Sequence, residues 1–231
     1  MDVRQSLLTL WRQAARDAVP LPPEVEIAAA LGVSRPTVRE ELIRMESAGL
    51  LRRHPRQGTF PNPAAVDAGV RIDAALEYSQ ALRDAGLTAR VEVVDAGWTV
   101  LDERAADDLG AEPGSSAWAT TKRWLADDVP VMVARDVVPA RRRPYAPADP
   151  DASVYGIVGE LRGTPIEWER VQLTAAIAEG AAAELLDTVA GAAVLSLCVV
   201  GVSRHGERLF RAEEHHRGGL VPYTMLRNAQ H

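Results

Sequence analysis

Residues 21–60 read LPPEVEIAAALGVSRPTVREELIRMESAGLLRRHPRQGTF, and this stretch decides the fold of the N-terminal part of the chain. Pro23 suits the first position of a helix, and Gly32 suits its end because glycine adopts the left-handed conformation without steric cost. Ser34 is a good N-cap for the next helix, which Gly49 closes. Two short extended runs around a basic turn follow and predict a β-hairpin.

The residues before this stretch extend the pattern. Apolar side chains recur at helical spacing over residues 3–18, which predicts an amphipathic helix. Three helices followed by a hairpin, with a glycine-containing turn between the second and third helices, form the winged helix-turn-helix arrangement. We therefore predict a DNA-binding domain over residues 1–62 that takes double-stranded DNA as its partner.

The third predicted helix carries the candidate DNA-reading residues. In this arrangement the third helix enters the major groove by its N-terminal end, so its first two turns are the informative ones. Arginine bonds guanine O6 and N7 in a bidentate way, and short hydroxyl side chains suit phosphates or base edges. An ordinary solvated helix face with routine arginines is the alternative. The candidates are Ser34, Arg35, Thr37 and Arg39.

Charge is distributed unevenly along the chain. The net charge is −6, but residues 1–62 carry +2 and residues 63–231 carry −8. Such asymmetry is typical of a nucleic-acid module joined to a different domain. The charged N-terminus and the lack of a long apolar run predict no signal peptide, no membrane span and a cytoplasmic protein.

The remaining chain predicts an α+β domain. The prolines at 61 and 63 suggest the start of a linker, which we place at 63–71, with the second domain at 72–231. Two strand pairs turn at Asp127-Asp128 and at His205-Gly206, which predicts a mainly antiparallel sheet with helices on one side. The expected helices are 72–84, 101–109, 153–161 and 177–187, and the expected strands are 88–99, 116–126, 130–138, 165–175, 193–204 and 207–217.

Residues 21–60 resemble the DNA-binding domain of the GntR family of bacterial transcription regulators. The resemblance rests on LP, E-x-E-I-A, LGVSR, TVRE-x-L, E-x-x-GLL and a wing that ends in GTF. It implies phosphate and base contacts from Ser34, Arg35, Thr37 and Arg39, and it implies that Gln57 and Gly58 place the wing tip in the minor groove. One departure is Val25, where the family usually has an arginine, so an expected contact is missing and operator preference is expected to differ.

Residues 72–227 resemble the ligand-binding domain of the HutC-type branch of that family, which shares its fold with chorismate lyase. The resemblance rests on the hairpin KRWLADDVPV at 122–131, on Ser153-Val154-Tyr155 at a helix start, and on a last strand ending at His216-Arg217-Gly218. It implies a chorismate-lyase-like effector-binding and dimerisation domain.

The resemblance also points to a pocket whose usual polar groups are replaced. The branch commonly has Arg-x-Arg, a glutamate four residues after the hairpin proline, and a glutamate and a tyrosine on the last strand. We infer a larger, more apolar or aromatic effector, with any acidic group on it met by the lysine at 122; a degenerate pocket that binds nothing is the alternative. The candidate effector-binding residues are Lys122, Trp124, Ala134, Ser153, Phe210, Glu214 and His216.

Metal and catalytic chemistry are not predicted. In Glu213-Glu214-His215-His216, strand alternation lets only Glu214 and His216 converge, which is too few ligands for a closed metal site. No nucleophile, base and orienter set is readable, and no cofactor motif is present. The sequence thus predicts a homodimeric regulator, a repressor released by its effector from a palindromic operator. An enzyme on the same fold with a DNA-binding arm, and a ligand-independent DNA binder, remain the alternatives.

Overall fold

The computed structural model describes residues 3–54, 57–66, 70–71, 78–141, 149, 151–219 and 221–227. The chain divides into two compact units. The first unit comprises residues 1–74 together with 223–231, and the second comprises residues 75–222. These units differ from the predicted domain limits, because the final segment groups with the N-terminal part of the chain.

The first unit is a winged helix-turn-helix. Its elements are α1 (Val3–Asp17), α2 (Glu24–Leu31), α3 (Arg35–Ser47), β1 (Leu51–His54), β2 (Gly58–Pro61), α4 (Pro63–Val66), β3 (Val70–Arg71) and β10 (Tyr223–Thr224). Leu7, Ile27, Val38, Leu42 and Met45 form the centre of its core and are almost fully buried. The predicted helices and hairpin of this unit are confirmed.

The stretch after the wing differs from a plain linker. Pro63 opens helix α4, a position where its missing N–H costs nothing, and Asn62 Oδ1 accepts from Ala64 N at 3.3 Å. Strand β3 then pairs in parallel with β10. The C-terminal strand therefore completes a two-stranded sheet within the first unit.

The second unit is built on one six-stranded sheet. Its strands are β4 (Ala89–Val100), β5 (Ser116–Ala126), β6 (Val129–Pro139), β7 (Trp168–Ile177), β8 (Ala193–Val202) and β9 (Arg208–Arg217). The order is β4-β5-β6-β9-β8-β7 with antiparallel neighbours throughout, which confirms the predicted sheet. The turn between β5 and β6 has positive φ at both Asp127 and Asp128, as a two-residue hairpin turn requires.

The helices of this unit are α5 (Tyr78–Asp84), α6 (Glu103–Leu109), α7 (Val154–Arg162) and α8 (Gly180–Leu185). Residues 72–77, which the sequence assigned to the first of these helices, lie outside the described residues. None of the helices in the described part of the chain is long and apolar enough to cross a membrane.

Helices pack on both faces of the sheet, so the prediction of helices on one side is wrong. Ile157 of α7 packs with Val138 and Phe210 on one face, which we call the α7 face. Leu109 of α6 packs with Ala119 on the other, and α8 covers a further part of that second face, which we call the α6/α8 face. The cause lies in β6, which is central in the sheet and is buried at most positions of both faces.

Arginines of β9 fasten the two helices on the α6/α8 face. Arg208 Nη1 donates to the carbonyl of Asp107 at the end of α6 at 2.9 Å, and Arg217 Nη1 donates to the carbonyl of Leu186 after α8 at 3.3 Å. Arg211 Nε donates to Asp108 Oδ2 at 2.8 Å. Cations at helix C-termini satisfy carbonyls that have no partner within the helix.

Candidate functional site

The start of helix α3 is fixed by its own hydroxyl groups. Ser34 is the N-cap, and its Oγ accepts from Thr37 N at 3.2 Å and lies 2.7 Å from Thr37 Oγ1. The first of these bonds satisfies a backbone N–H that the first helical turn leaves unpaired. Ser34 and Thr37 are both exposed, so their hydroxyls face solvent at the end of the helix that would approach DNA.

Two arginines project from the first turns of α3. Arg35 is exposed and its Nε donates to Glu24 Oε2 on α2 at 3.2 Å, which leaves the two terminal nitrogens for other partners. Arg39 is exposed and makes no ion pair with the residues that the structure describes. Since they are four residues apart, Arg35 and Arg39 lie on one face of the helix.

The hairpin of the first unit presents the other predicted contacts. Gln57 and Gly58 are exposed at its turn, where Gly58 pairs with His54 and has φ +119°. Leu21 N donates to Thr59 O at 2.8 Å, which ties the hairpin to the start of α2. The first unit therefore holds all six candidate DNA-contacting residues at exposed positions.

In the second unit, the sheet register brings most candidate effector residues onto the α7 face. Lys122, Ala134 and Glu214 lie side by side on β5, β6 and β9. Trp124 and His216 lie in the next cross-strand row, on either side of Met132. All five belong to one surface because residues two apart on a strand point to the same face.

An aromatic corner forms at one end of this surface. Tyr78 of α5 meets His216 edge to face with ring centroids 5.5 Å apart, and it meets Trp124 at 6.2 Å. The indole Nε1 of Trp124 is buried and has no hydrogen-bond partner among the described residues. Sequence analysis missed Tyr78, because only the fold brings α5 onto these two strands.

The centre of the surface carries charge that sequence analysis also missed. Asp136 is buried beside Lys122 and Glu214, and its Oδ2 accepts from Thr120 Oγ1 at 3.4 Å. Burial and then the charge of Glu214 raise the pKa of Asp136 to about 7, while Lys122 opposes this rise. Its position two residues after Ala134 on the same strand was the available signal.

Lys122 and Glu214 already have partners within the protein. Lys122 is buried, and its Nζ donates to the backbone carbonyl of Ala152, just before the N-cap Ser153 of α7. Glu214 Oε2 lies 2.9 Å from His216 Nε2, so these two side chains converge as strand alternation predicted. Ser153 Oγ accepts from Gly156 N at 3.3 Å.

The far end of the surface is less polar than its centre. Phe210 is buried against α7 and meets Tyr155 edge to face at 6.5 Å between ring centroids, and the Tyr155 hydroxyl donates to Glu169 Oε1 at 2.8 Å. Burial raises the pKa of Glu169, and burial together with the Glu169 carboxylate raises the pKa of Tyr155. Phe210 thus lies within the core, two cross-strand rows from Glu214.

A winged helix-turn-helix joined to a ligand-binding sheet domain defines the class of one-component, effector-linked DNA-binding regulators. The sequence profile of the gntR family of bacterial regulatory proteins matches residues 3–60, and that of the UTRA domain matches residues 84–220. The chain belongs to the GntR family of transcriptional regulators, with a UTRA domain as its effector domain.

Individual relatives agree with this assignment. The HTH-type transcriptional repressor NagR of Bacillus subtilis is 25% identical over 207 residues, which cover 89% of this chain and 84% of that protein. The crystal structure of PhnF from Mycobacterium smegmatis is 24% identical, covers 99% of this chain and 100% of its own, and has a TM-score of 0.61. The possible transcriptional regulator YydK of Bacillus subtilis is 14% identical at coverages of 99% and 100%, with a TM-score of 0.73. These two structures share the fold of this chain.

Proposed function

We propose that the protein is a homodimeric repressor that binds a palindromic DNA operator and leaves it when a small apolar or aromatic molecule binds the α7 face of its UTRA domain. The observation that carries this proposal is the pair of exposed arginines at the start of α3, beside a hairpin, in a chain that also holds an effector domain. A regulator of this kind acts on the bacterial chromosome, in the cytoplasm.

The DNA-binding part of the proposal rests on the first unit. Exposed hydroxyls of Ser34 and Thr37 suit phosphate oxygens, and the terminal nitrogens of Arg35 suit a guanine edge in the major groove. Gln57 and Gly58 at the hairpin turn are the proposed wing contacts. A two-fold dimer matches half-sites that lie about one helical turn apart, which is why we propose a palindrome.

The effector part of the proposal rests on the aromatic corner. Trp124 offers a large flat apolar surface and a single N–H donor without a partner among the described residues, and Tyr78 stands at its edge. Such a pair binds a ring better than it binds a phosphate. Lys122, Ala134, Glu214 and His216 would surround the rest of the molecule, with Ser153 at the start of α7. Phe210, the remaining candidate from the sequence, is buried in the core and would support this surface from behind.

Release from DNA requires that the ligand distinguish two states of the protein. The effector must bind the state that does not bind DNA more tightly than the state that does, and a coupling of roughly 1–3 kcal/mol is typical. The repressor role is proposed from the relative NagR, which is named a repressor.

The test is a DNA-binding titration with the full chain and the DNA upstream of its own gene, at fixed salt, with and without fractions of a small-molecule extract. We expect tight, sequence-selective binding that one fraction weakens at least tenfold. Binding that does not discriminate sequences would support the ligand-independent DNA binder instead. Conversion of the active compound during incubation would support the enzyme.

A further inference from the structure

We infer that the effector carries a cationic nitrogen, an amine or amidine, which binds between the carboxylates of Asp136 and Glu214 on the α7 face. This inference rests on the proposed function, because it assigns a chemical class to the ligand of the same surface. The inference assigns the charge of the ligand. The two carboxylates that support it lie outside the positions where the HutC-type branch commonly has its polar groups.

The described residues of this surface hold more negative than positive groups. Asp136, Glu214 and Glu169 are the carboxylates, and Lys122 is the lysine on the same face of the sheet. His216 hydrogen-bonds one of these carboxylates. Buried carboxylates without enough counter-charge are unfavourable, so a ligand that brings a positive charge gains interaction energy here.

Asp136 is the most deeply buried of these carboxylates. It is 7% exposed, and its side chain makes one hydrogen bond with the described residues, at 3.4 Å from Thr120 Oγ1. None of the described basic side chains lies within ion-pair distance of it. A buried anion normally accepts two or three hydrogen bonds, so this group has acceptor capacity to spare.

Lys122 does not remove this excess. Its ammonium donates to the carbonyl of Ala152, on the loop that leads into α7. The register places Lys122 opposite Ala134 and Asp136 opposite Thr120, so the lysine and the aspartate are diagonal neighbours. Diagonal pairs are about 7–8 Å apart at Cα. None of the hydrogen bonds among the described residues joins Lys122 to Asp136.

The second carboxylate, that of Glu214, lies on β9, on the side of Asp136 away from Lys122. Glu214 faces Ala134, and Asp136 faces Ala212, so the two carboxylates are also diagonal neighbours. The two facing residues are alanines, which place only methyl groups between the acids. Burial and the charge of Glu214 raise the pKa of Asp136. This is the direction expected when two neighbouring acids have too little positive charge around them.

The neighbouring aromatic corner suits the same ligand. Trp124 and His216 occupy the row next to Ala134 and Glu214, and Tyr78 contacts both rings. A cation near the face of tryptophan is attracted by the ring quadrupole, and a ring attached to that cation buries apolar area against the indole. The sequence predicted that Lys122 would meet an acidic group on the ligand. We infer a basic group instead, because Asp136, which the sequence did not single out, adds a second carboxylate beside Glu214.

The experiment compares three probes that share one ring and differ in charge: 2-phenylethylamine, 3-phenylpropionate and 2-phenylethanol. Binding to the full chain is measured by ligand-observed NMR titration at pH 7.5. We expect the amine to bind at least tenfold more tightly than the carboxylate, with the alcohol between them. D136N and E214Q should each weaken amine binding at least fivefold and leave alcohol binding within twofold.

The matched control is Glu213→Gln, which lies on the same strand but on the α6/α8 face. It should change amine affinity less than twofold. Thermal melting of every variant checks that it is folded. Tighter binding of the carboxylate, no binding of any probe, or full amine affinity in both D136N and E214Q would overturn the inference. Release of the parent protein from DNA by an anionic or neutral extract compound would refute the charge assignment while leaving the proposed function intact.

Discussion

Arg35 Nε on α3 donates to Glu24 Oε2 on α2 at 3.2 Å, across the turn that joins the two helices of the DNA-binding motif. The arginine side chain is 61% exposed and that of Glu24 is 21% exposed, so solvent reaches the pair and it contributes little to stability. The hydrogen bond orients the Arg35 side chain, because it holds Nε of the guanidinium while the two terminal nitrogens remain available. We therefore expect Glu24 to act as a positioning residue for the DNA contact proposed for Arg35.

Replacing Arg35 by alanine should weaken specific operator binding by about 1–3 kcal/mol, the range for an arginine that reads guanine. The fold should persist, because the side chain is exposed. The measurement is a titration with operator and with random DNA at one salt concentration. Arg16→Ala, an exposed arginine at the end of α1, is the control and should leave selectivity unchanged. Equal selectivity of R35A and the parent would contradict the assignment.

Glu24→Ala should weaken operator binding less than R35A does, by a few-fold, because it removes the acceptor that orients Arg35 but keeps the arginine itself. In the R35A background the same substitution should have almost no effect. A double-mutant cycle on operator affinity measures this coupling. Additive effects of the two substitutions would mean that Glu24 acts on DNA binding by another route.

Trp124→Ala should reduce the effector response, because the proposed ring-binding surface is lost. At least tenfold more effector should be needed to release operator DNA, whereas Trp124→Phe, which keeps an aromatic face, should need only a few-fold more. The measurement is release of labelled operator by the active extract compound. An unchanged response in the alanine variant would place the ligand elsewhere.

Asp136 should make the protein less stable as pH rises. Its pKa is about 7 in the folded state and 3.8 in the unfolded chain, so the folded state binds the extra proton between these values. The free energy of unfolding therefore falls as pH rises from about 4 to about 7, at no more than about 1.4 kcal/mol per pH unit, and this contribution is constant above that window. The charged groups that face it are Lys122, Glu214 and Glu169.

Denaturant unfolding at several pH values tests this dependence. Asp136→Asn should unfold with a flatter pH profile than the parent and should be relatively more stable at pH 8 than at pH 5. Asp107→Asn, at an exposed position of α6, should keep the parent profile. If D136N and the parent have parallel profiles, Asp136 does not titrate in this range.

Gly201→Ala should destabilise the second unit by about 1–3 kcal/mol or more, because a Cβ at this position would overlap the ring of Phe210. Gly97→Ala on β4 is the matched control, since a Cβ there meets no atom within 4 Å. Thermal or denaturant melting measures both. Phe210→Leu should restore part of the stability of G201A, and the absence of any rescue would show that the ring is not the obstacle.

Local features of the fold could be predicted from the sequence. The cap at Ser34 and the tight turn at Asp127-Asp128 depend on residues within a few positions of one another, so their types are sufficient evidence. The rows of the α7 face could be predicted only in part. The sequence predicts Lys122 and Trp124 as effector-binding residues. Asp136 joins this surface only through the register between strands, which include strands that are far apart in sequence.

Contacts between residues far apart in sequence also explain the other differences between the predicted and the observed fold. Phe210 alternates correctly with its neighbours, but its burial comes from contact with Gly201 on β8 and with helix α7. Helices on both faces follow from the central place of β6, which strand order decides and composition does not. The DNA-contacting and effector-binding assignments stay predictions, which the substitutions above are designed to test.

The pairing of β3 with β10 has a consequence for biosynthesis. Val70 and Arg71 are made early, whereas their partners Tyr223 and Thr224 are added only after the whole second unit has been translated. Leu226 then lies against Gly49, at the end of the helix that would read DNA. The first unit therefore receives strand β10 only after the second unit has been synthesised, and a chain that ends before residue 223 lacks this strand.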